Sequence, residues 1–163
     1  MITPAEHTPG PIIVGVDGSE NARRALETAA QIASALGSSV VAVHALGMLA
    51  VVDGEKVPAA EHREQVAAEL RDRWCAPLEE LLSGRWSAEL IDGPPSLSLL
   101  TAVASHEASF VVVGARGVGG HPDLMLGSTS HQVIQHAACP AIVVPPVGRG
   151  SAVEAADALR RSL

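Results

Sequence analysis

The sequence predicts an α/β domain built on a parallel sheet, and three observations carry that expectation. Short runs rich in valine, IIVGVD (12–17), SVVAVHAL (39–46), FVVVGA (110–115) and AIVVPP (141–146), are mostly apolar without strict alternation, as strands buried on both faces are. Segments with helical spacing separate them. Glycine, serine or proline marks the joins. Strands alternating with helices build layered domains in which helices cover the sheet.

The elements follow in order. IIVGVD ends at Gly18-Ser19, where Ser19 is placed to cap a helix and Glu20 suits its positive end. Ala22, Leu26, Ala29, Ala30 and Ala33 then recur at helical spacing until Gly37 stops the pattern. After the second strand, residues 47–59 read as a loop, and 60–83 as a long charged helix. Its inner stripe is expected to be Leu70, Trp74, Leu78, Leu81 and Leu82, with a kink or division at Pro77. WSAELIDG alternates like a more exposed strand, and Ser96 is expected to cap the next helix, which reaches His106. SHQVIQHAA returns to helical spacing before Cys139-Pro140 ends it. Residues 1–11 read as a flexible leader, 12–147 as the domain, and 148–163 as a tail whose short helix carries a capping box in Ser151 and Glu154.

Composition narrows the function. A chain of 163 residues suits one domain with a substantial core. The only aromatics are Phe110, Trp74 and Trp86, so a site built on aromatic stacking is not expected. A formal net charge of −7 opposes nucleic acid and anionic membrane surfaces as partners. Cys75 and Cys139 fit neither a disulfide framework nor a zinc site, which suits a reducing, cytoplasmic interior. His131 and His136 stand five apart, not at the spacing that puts two metal ligands on one helix face, and His44 reads as a packed strand residue.

The most informative stretch is GARGVGGHPDLMLGSTS, directly after the fourth strand. Gly114, Gly117 and the pair Gly119-Gly120 would let the main chain turn tightly and present amides as an anion nest. Gly127-Ser128 then opens a helix whose free N–H groups favour phosphate, with the hydroxyls of Ser128, Thr129 and Ser130 nearby. A Walker loop is excluded because the sole lysine is Lys56. A dinucleotide fingerprint is excluded because Pro122 stands where its third glycine belongs.

The spacing Gly114-x2-Gly117-x9-Gly127-Ser128 resembles the adenine-nucleotide motif of the ATP-binding branch of the universal stress protein family. The likeness runs from Ile12 to Pro146 through VGVDGSENARRAL, VHAL, VVVGARG and HAACPAIVVP. It implies a three-layer sandwich of the adenine nucleotide alpha hydrolase-like kind, with a five-stranded parallel sheet in order 3-2-1-4-5. By the resemblance, Asp17 lies near the ribose or the metal on the phosphates, Gly15 and Val16 form the adjoining wall, and Ala45 touches adenine. Val113, Gly114, Arg116 and Gly117 begin the binding loop, and Gly127, Ser128 and Thr129 form its phosphate end. The implied cofactor is ATP, with Mg2+ carried on the nucleotide. The implied assembly is a homodimer through the last strand, Ala141 to Pro145.

The function these features imply is a cytoplasmic stress-response regulator, switched by nucleotide, with no catalytic residue assigned. Three alternatives share the pocket: a slow Mg2+-dependent ATPase or phosphotransferase, a nucleotide-free dimerisation module, and a binder of cyclic AMP.

Overall fold

The computed structural model describes residues 9–47, 51–52, 55–56, 60–118, 126–146, 157 and 159–161. Strands β1 (Ile12–Gly15), β2 (Val40–Leu46), β3 (Trp86–Asp92), β4 (Phe110–Gly114) and β5 (Ala141–Val144) form one parallel sheet in order 3-2-1-4-5, as the family resemblance implies. The helices are α1 (Glu20–Leu36), α2 (Ala60–Glu69), α3 (Ala76–Leu82), α4 (Pro95–Ser105) and α5 (Ser128–His136). Within the expected loop after β2, Val51–Val52 and Glu55–Lys56 pair as a short antiparallel ladder.

Ile12 lies level with Val40 on one side and with Phe110 on the other. The chain leaves β1 toward β2 and β3, then returns to the far side of β1 to add β4 and β5. Strand order therefore reverses between β1 and β4, and their carboxyl ends part to leave a crevice.

Alternation along the strands divides the core. Ile12, Val14, Val40, Ala42 and Val112 pack with α1 and α3, while Ile13, Val41, Val43, Val111 and Val113 pack with α4 and α5. Burying each of the branched side chains contributes about 1.5–3 kcal/mol, which is why the apolar runs lack strict alternation.

The alanine stripe of α1, Ala22, Ala25, Ala29, Ala30 and Ala33, is buried together with Leu26. Small side chains bring this helix close to β4: a Cβ on Gly114 would lie 3.0 Å from Cβ of Asn21. Ser19 caps α1 by accepting from the Ala22 amide at 3.1 Å, and Gly37 closes it at φ 66°.

The expected long helix is divided, but not by Pro77. A π-helical turn, Leu70–Trp74, separates α2 from α3, with the Cys75 amide donating to the Leu70 carbonyl at 2.9 Å. Pro77 stands in the first turn of α3, where its missing N–H costs no helical bond. Leu70, Cys75, Leu78 and Leu82 are buried together, whereas Leu81 is 46% exposed and leaves the expected stripe. The same turn lays the Trp74 indole against Gly18.

The two sheet edges differ. On β3, Arg63 from α2 donates to the Leu90 carbonyl at 3.2 Å and pairs with Asp92 at 2.5 Å. On β5, the carbonyls of Pro140 and Val144 accept from Val111 and Ala115 of the neighbouring chain segment. The intervening Ala141 and Val143 therefore turn their N–H and C=O groups to the open side.

Residues 9–11, assigned from sequence to a flexible leader, are instead held. The Ser109 amide donates to the Pro11 carbonyl at 3.0 Å, and Ser38 Oγ donates to the Gly10 carbonyl at 2.8 Å. The first eight residues, Gly119-Gly120, His121 to Asp123 and the capping pair Ser151 and Glu154 lie outside the described residues. Of the expected C-terminal helix, 157 and 159–161 are helical.

Candidate functional site

A cavity of about 600 Å³ opens where the carboxyl ends of β1, β2 and β4 meet the start of α5. Sites for small organic ligands have about this volume, roughly 300–1,000 Å³. All eleven residues named from sequence line it. Gly15, Val16 and Asp17 come from the end of β1 and the turn after it, and Ala45 comes from β2. Val113, Gly114, Arg116 and Gly117 come from β4 and the loop after it, and Gly127, Ser128 and Thr129 from the entry to α5.

The turn after β1 is tied to both neighbouring segments. The Val16 amide donates to the Val43 carbonyl at 2.9 Å, which extends the pairing with β2 beyond the strand. The Val16 carbonyl accepts from His44 Nδ1 at 2.7 Å, so that nitrogen carries the proton. The His44 ring meets Trp74 edge to face, with centroids 5.0 Å apart. Asp17 uses both carboxylate oxygens on main-chain donors: Oδ1 accepts from Ser19 N–H and Oδ2 from Val118 N–H, each at 3.0 Å.

The loop after β4 is closed at its base. The Gly127 amide donates to the Ala115 carbonyl at 2.7 Å, and Ser130 Oγ lies 3.0 Å from the same oxygen and 2.9 Å from the Gly127 carbonyl. Ser130 is buried, and its single proton is directed at these carbonyls. It fixes the loop, where the sequence suggested a bond to phosphate. The first helical bond of α5 runs from the His131 amide to the Gly127 carbonyl at 3.0 Å. The amides of Ser128, Thr129 and Ser130 thus stand at the helix mouth without an intrahelical acceptor. Arg116 Nε is shielded from solvent and has no hydrogen-bond partner among the described residues. A buried donor in that condition calls for an acceptor.

The glycines serve a different purpose from the one expected. Neither Gly114 nor Gly117 has a left-handed backbone. Close approach leaves little room for a side chain at each: a Cβ on Gly114 would lie 3.0 Å from Cβ of Asn21, and one on Gly117 would lie 2.6 Å from Asp17 Oδ2, which would have to shift.

The cavity also uses residues the sequence did not single out. Val43, Pro95, Leu99 and Val113 form an apolar wall, of which only Val113 was named beforehand. Their signal was indirect: Val43 stands two residues before Ala45 on the same face of β2, and Leu99 lies one turn beyond Pro95. Ser96 does not cap α4; Pro94 occupies the N-cap position. His44 packs as expected and lines the cavity as well.

Among the described residues no group of three or more His, Cys, Asp or Glu side chains is placed to hold a metal. Among the described lining residues, Asp17 is the only carboxylate and Arg116 the only permanent cation. This arrangement can hold an elongated anionic ligand: an apolar wall at one end, converging main-chain donors and a guanidinium at the other.

Fold and cavity together define an α/β protein with a crevice at its strand switch point, and comparison with known proteins gives the family. The model of the universal stress protein family matches residues 9–145, and the chain belongs to that family. A universal stress protein of Thermus aquaticus, described by its position in the QAH/OAS sulfhydrylase 3' region, is 32% identical, covering 82% of this chain and 96% of its own. The fold also matches a universal stress protein in complex with cAMP at TM-score 0.65 and 22% identity, covering 85% of this chain and 98% of the other. One from Archaeoglobus fulgidus in complex with dAMP matches at TM-score 0.64 and 23% identity, covering 85% and 99%.

Proposed function

We propose that this chain binds ATP in the crevice between β1 and β4 and acts as a nucleotide-dependent switch in a cytoplasmic stress response. The observation that carries the reading is that Arg116 and the open helix mouth of α5 border one cavity of about 600 Å³. The apolar wall of Val43, Ala45, Leu99 and Val113 suits the base, Asp17 stands toward the phosphates, and Arg116, Gly127, Ser128 and Thr129 face the phosphate chain. Mg2+ enters on the nucleotide, where it offsets phosphate charge. The free thiols of Cys75 and Cys139 accord with a reducing compartment.

The switch acts through a homodimer formed along β5, from Ala141 to Pro145. The outward N–H and C=O groups of Ala141 and Val143 support this, since an open parallel edge is a template for pairing. A second reading, a nucleoside monophosphate or cyclic AMP as the physiological ligand, is favoured by the complexes of the two structural neighbours.

Calorimetric titration with ATP, ADP, AMP and cyclic AMP, with and without Mg2+, tests both. ATP binding at one site per chain, strengthened by Mg2+, is expected. Binding confined to AMP or cyclic AMP would favour the second reading, and no binding at millimolar concentration would reject both.

A further inference from the structure

We infer that Asp17 is a positioning residue: its carboxylate pins the first arm of the phosphate loop through the Val118 amide. Asp17 thereby sets where residues 115–118 face the ligand. The inference rests on the adenine-nucleotide reading of the cavity and assigns Asp17 a task within it.

Three observations carry it. The bond from the Val118 amide to Asp17 Oδ2, at 3.0 Å, joins residues 101 apart in sequence and crosses the crevice between the turn after β1 and the loop after β4. The opposite carboxylate oxygen is fixed by the Ser19 amide at 3.0 Å, so the side chain is held from its own turn before it reaches the loop. Gly117 lacks a left-handed backbone, yet a Cβ there would lie 2.6 Å from Oδ2. The absence of a side chain at 117 is therefore explained by the carboxylate, which needs that space to reach the next amide.

Among the described residues, the loop is fastened at both its base and its first arm. Gly127 and Ser130 close its base on the Ala115 carbonyl, and Asp17 fastens the arm that carries Arg116. Without the second fastening, residues 116–118 lose their only described hydrogen bond to the turn after β1, and the Arg116 guanidinium loses its fixed approach. The consequence falls on the phosphate end of a ligand. A ligand with no phosphate gains nothing from the latch.

The test is a cycle of Asp17→Ala, Gly117→Ala and the double variant, with Asp17→Asn as a milder replacement should Asp17→Ala fail to fold. ATP and adenosine affinities are measured for each. Amide hydrogen exchange at Val118 is followed in protein without nucleotide. Expected is a loss of about tenfold in ATP affinity for either single variant, a loss under about twofold for adenosine, and almost no further loss when Gly117→Ala is added to Asp17→Ala. Exchange at Val118 should accelerate about tenfold in Asp17→Ala. Equal losses for ATP and adenosine would mean that Asp17 touches the nucleoside, and would overturn the inference. So would additive losses in the double variant, or unchanged exchange at Val118. Should the unmodified protein bind no nucleotide, the functional reading fails, and the exchange rate alone decides whether the latch exists.

Discussion

Gly18→Ala offers a quantitative check of how the β1 turn is built. Gly18 has φ 78°, and a Cβ there would lie 2.9 Å from Cε2 and Cζ2 of Trp74 and 3.1 Å from Nε1. The left-handed backbone costs a residue with a side chain about 1 kcal/mol. Overlap with a ring already packed on His44 adds about 1–3 kcal/mol. The sum is about 2–4 kcal/mol, which for a domain of this size lowers Tm by roughly 5–15 °C. Urea unfolding followed by far-UV circular dichroism measures it. The steric part should vanish when Trp74 is shortened, so Gly18→Ala should cost only about 1 kcal/mol in a Trp74→Leu background. Equal costs in the two backgrounds, or a cost below about 0.5 kcal/mol in the unmodified protein, would refute this account of the turn.

Arg116→Gln should weaken ATP binding by about tenfold or more, the value of a charge-assisted hydrogen bond to phosphate, with little change in Tm; calorimetry that finds equal affinity would remove Arg116 from the site. Val143→Pro removes an outward N–H of β5 while leaving the hydrogen bonds to β4, so sedimentation should show a shift from dimer to monomer in a folded protein. A dimer that persists would place the interface elsewhere. Burial pushes the Cys75 thiol up to about 12, and Cys75 is 0% exposed. A disulfide reagent at about pH 8 should therefore label Cys139 first and reach Cys75 only on unfolding, because the thiolate is the reacting species; rapid labelling of both thiols in native protein would contradict the packing around α3.

Much of this was legible in the sequence because the signals are local. Unbroken valine runs reveal doubly buried strands, and Ser19, Gly37 and the alanine spacing define α1 almost to the residue. The eleven residues that the family resemblance implied line one cavity. What escaped depends on contacts distant in the chain. The π-helical turn leaves no local mark, so Pro77 drew the break that Leu70–Trp74 makes. Ser96 looks like a cap, yet the preceding prolines set the start of α4 earlier. Most instructive are Gly114 and Gly117, which read as turn formers. Their reason lies in Asn21 and Asp17, partners that only the folded chain brings near.

The central claim, that an adenine nucleotide occupies the crevice between β1 and β4, is tested most directly by two-dimensional amide NMR during titration with ATP and Mg2+. Saturable shifts are expected at Gly15, Asp17, Val118, Ser128 and Thr129, with the amides of α3 unmoved. Shifts centred on any other surface, or none at millimolar ATP, would contradict it.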